Sequence, residues 1–345
     1  MEDDFSILIK KLVNQIVITS SLMVLVGLVF LLYYFNVFSK DSISPYEISL
    51  GPISAQYDIS LLDNSKENEA IKFGHQLFIQ TPKYIGPENG DSNLAYSGNR
   101  LACNNCHLQS GTKPYSAPLI GIIKRFPQYR GRENKIGSIE ERINGCMERS
   151  LNGRTMPPNS KEMKAIVAYL TWLSRFSPED GKVTGQGFVK IQIPDRAVDL
   201  KKGQQVFELN CIVCHGKNGQ GVRSLGSYTY KYPPLWGEDS YNNGAGMTRV
   251  ITAAQFIKAN MPYGTTYEAP TLTDEEAYDV AGYINRQKRP SKPNPEYDFP
   301  DLTRKPVSTP YPPYIDSFSV TQHQLGPFQP IMAFYKQKYN IIKTK

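Results

Sequence analysis

Nine residues concentrate most of the chemistry open to this chain: five cysteines and four histidines among 345 residues. Four of the cysteines fall into two identical patterns, Cys103-Asn104-Asn105-Cys106-His107 and Cys211-Ile212-Val213-Cys214-His215. A C-x-x-C-H run lets two thiols add to the vinyl groups of one haem while the next imidazole serves as proximal iron ligand. The spacing lets both sulfurs and the ring reach one porphyrin from a single turn of chain. Disulfides and zinc are the alternatives. Paired zinc knuckles sit about 15–20 residues apart, whereas these pairs are 108 apart and each has its own histidine. Two covalently bound haem c groups are therefore expected, on Cys103, Cys106 and His107 and on Cys211, Cys214 and His215. No nucleotide cofactor is expected.

Each motif sits inside the same surrounding pattern. Gly74-His75-Gln76-Leu77-Phe78 parallels Gly203-Gln204-Gln205-Val206-Phe207, each ending an expected helix ahead of its motif. A Met-Pro pair follows each motif: Met156 lies 49 residues past His107, and Met261 lies 46 past His215. Then comes a helix. Met163, Ile166, Val167 and Leu170 recur at helical spacing, and Ala277, Val280, Ala281 and Ile284 do so at a constant offset of 114. Tyr169 and Tyr283 match at the same offset, and Thr273 with Glu276 reads as a capping box. The order helix, haem motif, methionine loop and closing helix resembles the class I cytochrome c fold, twice over. The first copy carries about 21 additional residues ahead of its motif, Gly-, Asn-, Ser- and Pro-rich between Thr81 and Asn99, which read as a loop. Met247, after a Gly-Ala-Gly loop, is a weaker candidate for the second iron than Met261. His75 and His323 read as ordinary histidines.

The expected architecture is mainly α: two tandem cytochrome c domains behind an N-terminal membrane helix, with an irregular Pro/Tyr-rich tail. From Leu12 to Ser39 there is no charged residue, and roughly 20 apolar residues span a bilayer core. Lys10 and Lys11 precede this stretch, and Tyr33, Tyr34 and Phe35 end it as an aromatic belt would. A cleaved signal peptide is the rival, but no small-x-small site follows the apolar run. Either way the chain beyond about residue 41 lies outside the cytoplasm, on the periplasmic side of a bacterial inner membrane. The expected divisions are 1–40 anchor or signal, 41–185 first haem domain, 186–290 second haem domain, and 291–345 tail. The segment 187–194 alternates and reads as a short extended linker. The tail lacks helical periodicity, but its aromatics favour a segment packed on the domains over a disordered one.

Composition bounds the rest. The chain is 40% hydrophobic and 21% charged, which excludes wholesale disorder. Its net charge of +7 comes from scattered Lys and Arg, so nucleic acid is not an expected partner. Anionic substrates, acidic partners or a membrane surface suit it better.

The fifth cysteine is Cys146, 39 residues past His107, where the distal ligand of the first haem should arise. Three readings are open: a buried inert thiol, an intermolecular disulfide, or a thiolate ligand or nucleophile. Met156 is the position-matched rival for the first iron, and spacing alone does not choose between them. Eight basic residues and four acids lie between Lys124 and Arg154, an excess of +4. Solvated ion pairs and haem propionates account for some of them. Arginine also grips oxyanions at two points, so a cluster around a lone thiol makes an anion pocket plausible.

Gly98 to Leu108, Phe126 to Arg132 and Glu141 to Gly153, with Tyr232-Pro233-Pro234-Leu235-Trp236-Gly237 and Gly244-Ala245-Gly246-Met247, resemble the dihaem thiosulfate dehydrogenases. The resemblance covers about residues 65–290 and implies an enzyme that joins two thiosulfates into tetrathionate, releasing two electrons, with the reverse reaction open. It implies Cys146 as distal ligand of the first haem, Arg132, Arg142 and Ser150 as the polar active-site residues, and Met261 on the second haem. The metal ligands would thus be His107, Cys146, His215 and Met261. Asn260 stands where some members carry a lysine before that methionine, which argues against a lysine switch. A small periplasmic cytochrome c is the implied electron partner; the membrane, reached through the N-terminal helix, is expected from the apolar run and not from the resemblance. The runner-up is an anchored dihaem electron shuttle with no substrate of its own. A third reading is a subunit of a larger sulfur-oxidising or respiratory complex.

Overall fold

The computed structural model describes residues 2–39 and 57–345, in two compact units divided between Tyr57 and Asp58. In the first unit, helix α1 (Glu2–Ser39) contains Ile9–Leu31, 23 residues long and apolar enough to cross a membrane. At 1.5 Å per residue that stretch is about 35 Å long, and its large apolar side chains are exposed.

The second unit holds both haem motifs. In its first half α2 (Lys66–Ile79), capped by Ser65, packs against α6 (Lys161–Leu173), capped by Ser160. A Cβ on Gly74 would lie 2.0 Å from the Ala165 carbonyl oxygen, so this crossing needs bare backbone. In the second half α7 (Leu200–Asn210) packs the same way on α10 (Asp274–Arg286). A Cβ on Gly203 would lie 2.2 Å from the Asp279 carbonyl oxygen. Ala165 and Asp279 are 114 apart, so the internal repeat is one helix crossing built twice. Phe78 meets Tyr169 at 5.6 Å between ring centroids, and Phe207 meets Tyr283 at 5.5 Å.

The segment after α2 opens with a short helix, α3 (Thr81–Ile85), and is not loop throughout. The first haem motif runs into the single turn α4 (Leu108–Gly111). A two-stranded ribbon follows, β1 (Gln128–Arg130) antiparallel to β2 (Lys135–Gly137), with Arg130 opposite Lys135. It leads into α5 (Ile139–Arg149), whose start is fixed by a Ser138–Glu141 capping box. In the second half α8 (Ile212–His215) holds the haem motif, a ribbon pairs β3 (Val222–Arg223) with β4 (Tyr230–Tyr232), and α9 (Val250–Asn260) ends at Met261. The alternating segment 187–194 forms no strand. Its Ile191 and Ile193 pack on the second domain's core.

The tail corrects one expectation. It is not irregular throughout: it forms α11 (Val320–Leu325), capped by Ser319, and α12 (Gln329–Tyr339). Helices this short are marginal alone, so burial rather than periodicity holds them. Phe328 and Ile331 are fully buried among Val250, Val280 and Ala281, so the tail completes the second domain's core. His323 anchors it from within, with Nδ1 2.7 Å from the Val307 carbonyl and Nε2 2.9 Å from Asp316.

Candidate active site

Each haem motif presents its histidine in the same way. His107 Nδ1 lies 2.7 Å from the Ala117 carbonyl oxygen, and His215 Nδ1 lies 2.7 Å from that of Pro233. A carbonyl accepts only from N–H, so Nδ1 carries the proton and Nε2 keeps its lone pair for a metal. Cys103, Cys106, Cys211 and Cys214 are all free thiols, none in a disulfide. Each half therefore offers two alkylatable thiols and one oriented imidazole. That donor set fits haem c, and the structure gives no reason to prefer another group.

Cys146 is delivered to the first motif by α5. The helix places residues four apart on one face, so Arg142 stands one turn before Cys146. Its Nη1 is 3.0 Å from Cys146 Sγ. Burial by itself would raise the Cys146 thiol; the Arg142 guanidinium, with His107 close by, outweighs it and brings it down to about 6. The motif thiols have no such cation. Burial, with the Cys146 charge close by, pushes Cys103 up to about 11 and Cys106 to about 12. One of three neighbouring thiols is thus a thiolate at neutral pH, the form that binds metal and attacks sulfur.

The methionines differ. Met156 is only 1% exposed, and its backbone N–H and carbonyl are both held by the Asn144 side chain, at 2.8 and 3.0 Å. Met261 follows α9 in extended backbone, partly buried against the second domain's core.

The polar residues expected around Cys146 separate. Arg142 pairs with no carboxylate among the described residues. Arg132 is already engaged: its Nη1 donates to Asp298 Oδ2 at 2.6 Å, to the Gly244 carbonyl at 3.0 Å and to Tyr311 Oη at 3.1 Å. Its guanidinium also lies over the Phe299 ring, 4.9 Å from the centroid. Ser150 caps α5, giving its N–H to the Cys146 carbonyl and accepting from Asn99 Nδ2 at 3.0 Å. The Ser150 hydroxyl makes no hydrogen bond among the described residues.

Sequence reasoning missed the partners of this cluster. Asp298, from the tail, also accepts from Arg149 Nη2 at 3.0 Å, and Tyr311 donates to it at 2.6 Å. Burial opposes its charge, but Arg132, Arg149 and the Tyr311 hydroxyl hold its carboxyl at about 2. Arg149 is buried and also reaches Glu133 at 3.3 Å. The second domain contributes too: Asn242 donates to the Glu148 carbonyl at 2.8 Å through its side chain and to the Arg149 carbonyl at 3.1 Å through its backbone. No spacing rule links residues 298, 242 and 146.

Comparison with known proteins decides the family. Residues 95–178 match the model of the SoxA/TsdA cytochrome c domain, and residues 200–288 match the cytochrome c model. A thiosulfate dehydrogenase of Thiomonas intermedia (strain K12) is 40% identical over 234 residues, 68% of this chain and 70% of its own length. One from Allochromatium vinosum is 37% identical over 243 residues, 69% of this chain and 85% of its own. The chain belongs to the thiosulfate dehydrogenase family. Among solved structures, the thiosulfate dehydrogenase TsdBA of Marichromatium purpuratum superposes with a TM-score of 0.61 at 34% identity. That match covers 68% of this chain, which spans about half (49%) of the solved one. As a member of this family the chain is a dihaem c-type oxidoreductase of the periplasm, with one covalently bound haem c in each domain.

Proposed function

We propose that this chain oxidises thiosulfate at Cys146, coupling two molecules into tetrathionate with release of two electrons. The observation that carries the reading is the Cys146 thiolate, set against the first haem motif with Arg142 at 3.0 Å and no carboxylate among the described residues to take that arginine from it. His107 and Cys146 would hold the first iron and His215 with Met261 the second. When bound, the two haems would supply two one-electron acceptors, with a small periplasmic cytochrome c as the next carrier.

The chain's own residues account for the sulfur chemistry. The Cys146 thiolate and the outer sulfur of one thiosulfate form an S–S bond, leaving a cysteine S-thiosulfonate and two electrons. The outer sulfur of a second thiosulfate then displaces Cys146 from that sulfane sulfur. Tetrathionate leaves and the thiolate is restored, with no proton taken up or released. Both reactants are dianions, so the barrier includes their mutual repulsion. Arg142 offsets part of it, and the Ser150 hydroxyl supplies a hydrogen bond to a sulfonate oxygen. Arg132 acts from its ion pair with Asp298, as a fixed wall of the pocket. Run backwards, the same steps reduce tetrathionate. Helix α1 holds the haem domains at the membrane.

The test is Cys146→Ala in the haem-loaded full chain. Turnover of thiosulfate should fall by at least roughly a thousandfold, as loss of a nucleophile does, and the thiolate signature of the oxidised first haem should vanish. Full turnover in the variant would overturn the reading. An electron shuttle ligated by Met156 predicts an unchanged spectrum.

A further inference from the structure

The arginine cluster is larger than the first domain. The loop Asn242–Arg249 of the second domain lies against the end of α5, through Asn242 on Glu148 and Arg149 and through the Gly244 carbonyl on Arg132. Arg249 ends that loop as the N-cap residue of α9. Its guanidinium folds back along the loop: a Cβ on Gly246 would stand 3.3 Å from its Nη2. Arg132, Arg142, Arg149 and Tyr311 all lie near enough to act on its charge.

The charges there do not balance. Arg132 and Arg149 share Asp298, and Arg149 also has Glu133. Arg142 pairs with no described carboxylate, only with the Cys146 thiolate, and Arg249 has neither an ion pair nor a side-chain hydrogen bond among the described residues. Burial and then Arg132 destabilise the Arg249 cation, bringing it down to about 9. Arg249 is half-buried, and a guanidinium drawn partly out of water close to other guanidiniums gains when an anion joins them. The fold keeps Arg249 with no counter-charge among the described residues, beside an Arg142 whose own counter-charge is the reactive Cys146 thiolate.

We propose that Arg249 is a second substrate-binding cation, which with Arg142 holds the sulfonate of thiosulfate, so that the site is completed by the second haem domain. The inference rests on the thiosulfate reading above. It explains how one pocket holds two dianions when Arg132 and Arg149 are already paired. A shared site also ties substrate binding to the docking of the two domains, and so to the path between the two haems.

The experiment uses the haem-loaded full chain, its Arg249→Gln and Arg249→Lys variants, and thiosulfate as probe. Binding heat is measured with the protein held fully reduced electrochemically, where thiosulfate cannot be oxidised. Turnover and both midpoint potentials are measured alongside. Loss of a charge-assisted hydrogen bond should weaken binding and raise KM about 10- to 100-fold in Arg249→Gln. Arg249→Lys should recover part of this, and both potentials should stay in place. Unchanged binding in Arg249→Gln would overturn the inference and leave the thiosulfate reading standing. Unchanged binding with a moved potential would overturn it too, assigning the guanidinium to a haem propionate. A wild-type chain that binds thiosulfate without turning it over would sink the reading alone, whereas one that does not bind it would sink both. A Gln variant too unstable to load two haems leaves the decision to Arg249→Lys, whose wild-type affinity at raised salt would count against a charge-specific contact.

Discussion

Replacing Asp298 by Asn tests whether the tail is part of the active-site scaffold. The carboxylate accepts from Arg132 at 2.6 Å, Arg149 at 3.0 Å and Tyr311 at 2.6 Å, with its side chain 5% exposed. Asn keeps the shape and one acceptor but removes the charge that two guanidiniums share. Breaking a buried pair from one side costs about 3–5 kcal/mol. The carboxyl itself, held at about 2 against an ordinary 3.8, corresponds to about 2 kcal/mol at neutral pH. Because the amide retains hydrogen bonding, we expect a loss of about 2–4 kcal/mol, or a fall in Tm on the order of 5–10 °C for a unit of this size. The sign with pH follows from the lowered value. The unfolded chain takes up the proton first as pH falls, so the wild-type advantage is complete above about pH 4 and disappears toward pH 2. Thermal melts followed by haem absorbance and circular dichroism at pH 7 and pH 3 measure both. A Tm at pH 7 within about 2 °C of wild type would refute the reasoning, as would a difference that grows on acidification.

Two further predictions concern the frame. Gly74→Ala and Gly203→Ala place a methyl 2.0 Å from the Ala165 carbonyl oxygen and 2.2 Å from that of Asp279. Each should force its helix pair apart at about 1–3 kcal/mol or more and reduce haem loading in its own domain; haem-to-protein ratios of two in both variants, with unchanged melts, would show the crossing to be loose. Phe328→Ala removes a fully buried ring from the core that the tail shares with the second domain. It should cost about 3–5 kcal/mol in chemical denaturation, whereas the wholly exposed Leu225→Ala stays within about 0.5 kcal/mol; equal effects would mean the tail rests on the surface.

What the sequence determined by itself was local chemistry and its repetition. The C-x-x-C-H spacing marks the donors that would hold haem, because all three must come from one turn of chain. The offset of 114 that joins Tyr169 to Tyr283 and Ala165 to Asp279 shows one helix crossing used twice. The pair Arg142 and Cys146 was legible too, since a separation of four stacks them on one face of any helix. Tertiary structure alone decided which charges remain available. Arg132, Arg142 and Arg149 are equivalent as letters, yet Asp298 reaches two of them from 166 and 149 residues away. Arg249 joins them only because the loop Asn242–Arg249 docks on α5. The helices α11 and α12 escaped notice for the same reason: their periodicity is weak, and the second domain's core rather than their own sequence holds them in place.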